Sequence, residues 1–370
     1  MKMAVKKKKI LILSMLGGFG HIRAGEAMLD YAKENLRSVS AEHFDISDIS
    51  PSLKKYSKFY EFLSKRFPFI WEIIYKYVPP LILRRIVGAM GPFHNKIRNY
   101  INEKNPDFII FTNLIIAPMF SRLLNNPQNG SIVAAIITDY HGHPYFNFPF
   151  VDYYFVGHQN VKKDLEEIGV NPQKIMVTGI PINPRFYIPQ NTRNLKLKHG
   201  IKNNFPIVLF IASFKISKSK LLKTVKQILE LEPQVNLIFI GSGNRKFYEI
   251  IKNSFEGCER FLTVNWTNLM EEYIKISDVV ISKPGGLTAS ECMALKKPII
   301  MVNPIPGQEE RNAEFLEKNN LGVRAKKIGD ITKILKHFIE KPKLTENDFI
   351  PAENPCKKIF DTLLYKKISN

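Results

Sequence analysis

Short apolar runs alternate along the chain with segments whose apolar residues recur at helical spacing. The runs cover residues 8–15, 107–112, 131–138, 151–157 and 175–179 in the first half, and 206–211, 235–240, 261–264, 279–281 and 298–302 in the second. Strands that alternate with helices form parallel sheets, and near-continuous apolar runs are typical of strands covered on both faces. The pattern predicts an α/β fold with two doubly wound domains.

A polar, proline-containing stretch separates the two sets of runs and predicts a domain boundary. We assign residues 1–188 to an N-terminal domain, 189–204 to a linker, 205–350 to a C-terminal domain and 351–370 to a C-terminal helix that packs back on the N-terminal domain. Because open parallel sheets bind ligands beyond the carboxyl ends of their strands, the polar stretches that follow strands hold the candidate site residues.

A glycine pair in the stretch Ser282–Glu291 lies where a strand passes into a helix. Gly285 and Gly286 allow close approach of the backbone, and the first amide groups of a helix attract anions. The stretch predicts a binding site for a diphosphate, although a plain strand-to-helix turn has similar residues.

Candidate proton acceptors are His21, at the start of a predicted helix, and Asp139, at the end of a strand. A histidine of ordinary pKa is largely neutral at pH 7 and can act as a base, but it can also serve only to cap a helix.

Composition restricts the classes of partner and cofactor. The chain has 370 residues, and 54 Lys and Arg against 34 Asp and Glu give a formal charge of +20, which favours an anionic partner. Its three cysteines have no disulfide or zinc spacing, and His141 and His143 are a weak ligand pair, so we expect no metal. No apolar run reaches the ~18 residues of a spanning helix, and we expect any membrane contact to be peripheral.

Aromatic and basic residues alternate between positions 54 and 90, with apolar positions at roughly helical spacing. The segment includes Phe69, Trp71, Arg84 and Arg85. Such a segment suits a bilayer interface, with aromatic rings at headgroup depth and cations against anionic lipid. Core-packed helices with solvated lysines are the alternative.

Four stretches resemble a family of glycosyltransferases, the one that holds monogalactosyldiacylglycerol synthases, processive diacylglycerol glucosyltransferases and the peptidoglycan enzyme MurG. They are Gly18–Ala24, Thr138–Asp139 through Thr178–Ile182, Ser282–Thr288, and Pro306–Glu309 through Asn312–Ala313. The last two are similar to the diacylglycerol glucosyltransferases in particular. All four occur in the family's order along the chain.

The resemblance implies a GT-B architecture, in which two Rossmann-like domains face each other across a cleft. It also implies that the C-terminal domain binds the nucleotide sugar without a metal or other cofactor. The donor-binding residues it implies are Trp266, Thr267, Lys283, Gly285, Gly286, Leu287, Thr288, Glu291, Gln308, Glu309 and Asn312. One departure from the family is a loop around Lys215, which lacks the usual glycines and weakens the case for activity.

The function implied is inverting transfer of a hexose from UDP-glucose or UDP-galactose to a membrane lipid hydroxyl, with diacylglycerol as the favoured acceptor. His21 or Asp139 would take the proton. We expect a cytoplasmic enzyme bound peripherally to the anionic inner face of the cell membrane, without a nucleic-acid partner. The alternatives are a MurG-like transferase with a polyprenyl-linked acceptor, a UDP-sugar epimerase, and an inactive relative that binds anionic membranes.

Overall fold

A computed structural model describes residues 7–15, 19–55, 58, 62, 67, 73, 77–88, 93–124, 130–213, 216–241, 243, 245–340 and 353–365. The described residues fall into two compact units, each built on one parallel sheet. The first unit takes the described parts of Met1–Pro184, Ile305–Gln308 and Pro351–Asn370. The second takes those of Arg185–Pro304 and Glu309–Ile350.

Six strands form the sheet of the first unit in the order β2-β1-β3-β4-β5-β6. They are β1 (Lys8–Ser14), β2 (Val39–Asp45), β3 (Phe108–Phe111), β4 (Ile132–Ile136), β5 (Tyr153–Val156) and β6 (Ile175–Val177). Its α-helices are α1 (Phe19–Asn35), α2 (Pro80–Gly88), α3 (His94–Lys104), α4 (Ser121–Leu124) and α5 (Gln159–Glu167), and α13 (Pro355–Tyr365) belongs to the same unit. Since the chain continues from β1 to β2 on one side and returns to β3 on the other, the order reverses between β1 and β3, where such sheets bind ligands.

The second sheet has the order β12-β11-β10-β7-β8-β9. Its strands are β7 (Ile207–Ile211), β8 (Asn236–Ile240), β9 (Phe261–Val264), β10 (Val279–Ser282), β11 (Ile299–Met301) and β12 (Gly322–Arg324). Its helices are α6 (Thr192–Lys198), α7 (Lys218–Leu229), α8 (Arg245–Ser254), α9 (Met270–Ile276), α10 (Gly286–Ala294), α11 (Gln308–Lys318) and α12 (Ile331–Glu340). The order reverses between β7 and β10, so the strand end before Gly285 lies at this sheet's switch point.

The prediction of two Rossmann-like domains is confirmed. The ten predicted strands are present within two residues at either end. Most of them are apolar runs buried on both faces of a sheet, whereas the edge strands β6 and β9 are only partly buried. Two further strands, β2 and β12, were not predicted; each lies at a sheet edge and has polar or exposed positions. Within the segment predicted as a linker, α6 buries Leu195, and Lys198 and His199 both contact Glu272 of α9.

The first unit has a core on each face of its sheet. Alternate residues of the strands point to opposite faces, so Leu11 and Ile109 belong to one core and Ile10 and Ile110 to the other. The second core also contains residues from both α1 and α13: Ala27, Met28, Ala32, Cys356, Ile359, Phe360 and Leu363. Helix α13 therefore supports α1, the helix that contains His21.

Candidate active site

His21 is the third residue of α1 and its ring lies beside the ends of two neighbouring strands. Its Nδ1 atom is 2.8 Å from the backbone oxygen of Thr112, which follows β3, and 2.9 Å from Oγ1 of Thr138, beyond β4. A carbonyl oxygen only accepts hydrogen bonds, so Nδ1 of the neutral ring carries the proton. The hydrogen bond thus assigns the lone pair to Nε2, the atom that can accept a proton from a substrate.

Burial lowers the pKa of His21 below its ordinary value of 6.5. The negative charge of Asp139 and the Thr112 carbonyl act in the opposite direction, and burial outweighs both. His21 is therefore neutral at pH 7. A neutral ring with a defined tautomer is the form that a general base requires.

Asp139 is buried beyond the end of β4, next in the chain to Thr138, and its charge acts on His21. The two predicted catalytic residues therefore lie close enough for the charge of Asp139 to raise the pKa of His21. His141 and His143 are also buried, and His143 Nδ1 accepts a hydrogen bond from the backbone of Tyr145. Across the part of the chain that the structure describes, no three His, Cys, Asp or Glu side chains form a metal-binding group.

In the second unit, Gly285 is the N-cap of α10, and no side chain caps this helix. Its φ of −68° is open to any residue, and a methyl group there would meet only Glu309 Oε1, at 3.9 Å. The fold itself therefore does not require glycine at this position. By contrast, the Ser217 side chain accepts a hydrogen bond from an amide of α7, next to the loop without glycines. A first-turn amide of α7 is thus bonded to a side chain, whereas no side chain caps the first amide groups of α10, which can bind a ligand.

Lys283 and Glu309 form an ion pair near Gly285, although 26 residues separate them in the chain. The Glu309 side chain is buried, so the lysine offsets the cost of burying its charge. Three predicted donor-binding residues are thus close together. Gln308 is the first residue of α11, and Asn312 is fully buried one turn later.

The remaining predicted donor-binding residues lie on α10 and after β9. Leu287, Thr288 and Glu291 are half-buried on α10, one, two and five residues beyond Gly286. Trp266 is exposed, and Thr267 Oγ1 accepts a hydrogen bond from the backbone of Leu269. Because β7 and β8 lie between β10 and β9, three strand spacings, about 14 Å in all, separate the strand before Trp266 and Thr267 from the strand before the glycine pair.

The residues predicted to contact a membrane are only partly described. Phe69 and Trp71 lie outside the described residues, as does Lys215 in the loop without glycines. The Arg84 guanidinium donates to the backbone oxygen of Tyr145 at 2.9 Å and lies 4.6 Å from the centre of the Phe148 ring. Arg84 therefore attaches α2 to the first unit.

Other side chains of the same region face solvent. Arg85 is exposed, and so are the apolar side chains of Tyr77, Leu81 and Ile82. In the described residues, no helix has the length and apolar character needed to cross a membrane.

Sequence reasoning did not give Thr112 and Thr138 a role in the site. Thr112 and Thr138 end the apolar runs 107–112 and 131–138. Their contact with His21 depends on the order of β1, β3 and β4 in the sheet. A hydroxyl residue directly before a candidate catalytic aspartate is the signal that points to Thr138.

Residues 21–182 match the family described as monogalactosyldiacylglycerol synthase, and residues 191–351 match glycosyl transferases group 1. A processive diacylglycerol beta-glucosyltransferase of Staphylococcus carnosus is 29% identical over 334 residues, covering 89% of this chain and 83% of the relative. The Bacillus pumilus enzyme of the same name is 27% identical over 360 residues, with coverages of 92% and 89%.

Solved structures show the same fold at low sequence identity. The UDP-GlcNAc 2-epimerase of Neisseria meningitidis bound to UDP-GlcNAc has a TM-score of 0.63 at 12% identity, covering 96% of this chain and 99% of its own. HepE of Anabaena in complex with UDP has a TM-score of 0.51 at 15% identity, with coverages of 96% and 95%. The chain therefore consists of a domain of the monogalactosyldiacylglycerol synthase family, over residues 21–182, followed by a glycosyl transferases group 1 domain, over residues 191–351.

Proposed function

We propose that the protein transfers a hexose from a UDP-sugar to the hydroxyl of diacylglycerol, with inversion at the anomeric carbon. Glucose is the first choice of sugar because the relatives from Staphylococcus carnosus and Bacillus pumilus are named as glucosyltransferases. The observation that carries the proposal is the state of His21: a neutral ring whose Nδ1 is hydrogen-bonded to a carbonyl and whose Nε2 can accept a proton.

In the proposed reaction, the acceptor oxygen attacks the anomeric carbon while its proton passes to Nε2 of His21. The bond between that carbon and the diphosphate oxygen breaks, and UDP leaves with the bonding electrons. Asp139 stabilises the imidazolium that forms, since its charge raises the pKa of His21. One proton moves from the acceptor to the enzyme, and water later removes it.

The developing charge on UDP is met by the second unit. The uncapped amide groups at the start of α10 and the Lys283 ammonium supply fixed positive charge to the diphosphate. The Glu291 carboxylate would accept hydrogen bonds from the ribose hydroxyls, and Gln308, Glu309 and Asn312 would contact the hexose. With this set of donors the reaction proceeds without a metal, and we expect full activity in the presence of a chelator.

We also propose that the protein works on the cytoplasmic face of the cell membrane as a peripheral protein. The support is the surface around α2, where exposed Tyr77, Leu81 and Ile82 accompany the exposed Arg85. Apolar and aromatic side chains with adjacent cations suit the boundary between headgroups and acyl chains. The anionic leaflet and its diacylglycerol would meet the protein on this side of the first unit.

The test is to incubate the protein with diacylglycerol liposomes and radiolabelled UDP-glucose or UDP-galactose. Lipid-soluble label with wild type, and its loss in His21→Gln, is the expected result. No lipid-soluble label with either donor would overturn the proposal. Label on a polyprenyl-linked acceptor alone would favour the MurG-like alternative, and release of an epimerised UDP-sugar would favour the epimerase.

The inactive alternative is distinguished by calorimetry with UDP. An enzyme that uses UDP-sugars binds UDP, so we expect saturable heat at one site per chain. If the protein binds anionic vesicles but not UDP, it is an inactive relative and the donor site proposed for the second unit is wrong.

A further inference from the structure

Three helices cover one face of the second sheet as a single layer. Helix α7 lies between α8 and α12 and contacts both. Leu221, Ile251 and Leu335, one from each helix, belong to the same core cluster as Val208 and Phe239 of the strands. Since these inner sides pack on the sheet, the opposite sides of the three helices form a continuous part of the surface of this unit.

The exposed residues of this layer are strongly cationic, and we call this surface the lysine face. Its exposed cations are Lys218, Lys220, Lys223 and Lys226 of α7, Arg245, Lys246 and Lys252 of α8, Lys326 and Lys327 before α12, and Lys333 and Lys336 of α12. The carboxylates on the same elements are Glu230, Glu249, Asp330 and Glu340. Eleven exposed cations against four carboxylates leave a large excess of positive charge on one side of the unit.

The cations of the lysine face act together on an approaching anion. Packed helices lie about 8–10 Å apart, which is close to the Debye length of about 10 Å at 0.1 M salt. The positive potentials of neighbouring helices therefore add. Two ion pairs form within the layer, Lys226 with Glu230 and Arg245 with Glu249, and at 3.7 and 4.0 Å both are long.

We propose that the lysine face is a surface that adsorbs an anionic lipid bilayer, in addition to the apolar region around α2. The proposal rests on the proposed function, since a diacylglycerol acceptor keeps the protein at a membrane. Ten of the eleven cations are lysines, and the three helices have none of the exposed large apolar side chains of the described residues. Protein interfaces are instead enriched in aromatic residues and arginine and depleted in lysine.

The same composition disfavours a nucleic acid as the partner. Single-stranded nucleic acids bind where aromatic side chains stack on bases, and bases are read mainly through arginine or amide side chains. Lysine ammonium groups on helices supply neither feature. Lysine ammonium groups suit a fluid layer of anionic headgroups, because mobile lipids can rearrange around each charge and no fixed bonding geometry is required.

The contribution of the lysine face is measurable as a change in vesicle partitioning. Each lysine near an anionic surface raises partitioning about fivefold. We expect the reversal of four charges on two of the three helices to remove at least two such contacts. We therefore expect the partition coefficient to fall by about 25-fold or more at 0.1 M salt, and the difference to vanish at 1 M salt, where the Debye length is about 3 Å.

The experiment compares the full-length protein with two variants by sedimentation with vesicles that contain phosphatidylglycerol. The test variant has four exposed lysines of α7 and α12 reversed: Lys223→Glu, Lys226→Glu, Lys333→Glu and Lys336→Glu. The control has the same change in net charge on exposed residues outside the lysine face: Lys163→Glu, Arg193→Glu, Lys202→Glu and Lys318→Glu. Circular dichroism and calorimetry with UDP establish that both variants fold and keep the donor site.

Weaker partitioning of the test variant than of the control supports the proposal. Equal partitioning of the two variants overturns it, because total charge alone would then explain adsorption. Selective loss of binding to RNA, with vesicle binding unchanged, also overturns it in favour of a nucleic-acid partner. Activity on diacylglycerol in detergent micelles tests the proposed function separately, since transfer there does not require an anionic bilayer.

Discussion

Replacing Gly285 by alanine separates the requirements of the fold from those of the donor. In the folded protein, the added methyl group would have Glu309 Oε1 at 3.9 Å as its nearest neighbour, and the φ of −68° suits alanine. Alanine restricts the conformations of the unfolded chain, which raises stability, but it is a poorer N-cap than glycine, which lowers stability. We expect the free energy of unfolding to change by no more than about 1 kcal/mol.

The effect on donor binding should be much larger. The methyl group occupies the space in which a diphosphate would approach the first amide groups of α10. A hydrogen bond to a charged group contributes about 1.5–3 kcal/mol, so loss of one predicts a 10- to 100-fold rise in the Kd for UDP. Calorimetry measures the Kd, and thermal denaturation confirms that the variant is folded.

The matched control is Gly329→Ala, in the same unit, where an added methyl group has no described heavy atom within 4 Å. It should leave both the Kd and the melting temperature near those of wild type. A folded Gly285→Ala protein that binds UDP as tightly as wild type would refute the reasoning, because the diphosphate would then bind elsewhere.

Four further single substitutions test the first unit. His21→Gln should lower kcat by about 10²–10⁴-fold with unchanged UDP affinity. In wild type, kcat/KM should fall as the pH drops through a pKa below 6.5, because protonated His21 cannot act as a base. Asp139→Asn should move that fall to lower pH, because the aspartate raises the pKa of His21. Phe360→Ala, at a fully buried site, should cost about 3–5 kcal/mol in urea denaturation. Gly25→Ala would place a methyl group 2.5 Å from His43 Nε2 and should destabilise by about 1–3 kcal/mol, with part of the loss recovered when His43→Ala is added.

Each of these predictions has an outcome that contradicts it. A His21→Gln enzyme with wild-type kcat would remove the proposed base. Lys358→Ala, on the exposed side of α13, is the control for Phe360, and equal losses of stability would show that the helix does not pack as described. If the double substitution is no more stable than Gly25→Ala alone, the contact with the His43 ring is not the cause.

The parts of the fold that could be predicted from sequence are those where one local pattern determines structure. Central strands such as β7, with five buried residues, are continuous apolar runs. β2 was missed because at the sheet edge it has one neighbour and polar residues at several positions, so its composition resembles that of a loop. Helix α6 was missed because its residues are mostly polar and only Leu195 is buried.

In the candidate site as well, residues within one local pattern could be predicted from the sequence, and contacts between distant positions could not. Gly285 and Gly286 were found because a strand, a glycine pair and a helix follow each other within a few residues. The ion pair of Lys283 with Glu309 joins positions far apart in the chain, and no local pattern connects them. The contacts of His21 depend on the order of strands in the sheet, which spacing along the chain does not specify.

The place of α13 in the first unit affects the order in which the protein becomes complete during translation. The helix contributes Cys356, Ile359 and Phe360 to a core that otherwise consists of residues from the first half of the chain. About 170 residues separate Pro184 from Pro355, and synthesis at about 5–20 residues per second takes about 10–30 s. During that time the apolar side of α1 lacks its partner and is a surface that chaperones can bind. The core of the first unit is therefore completed only after the whole second unit has been synthesised.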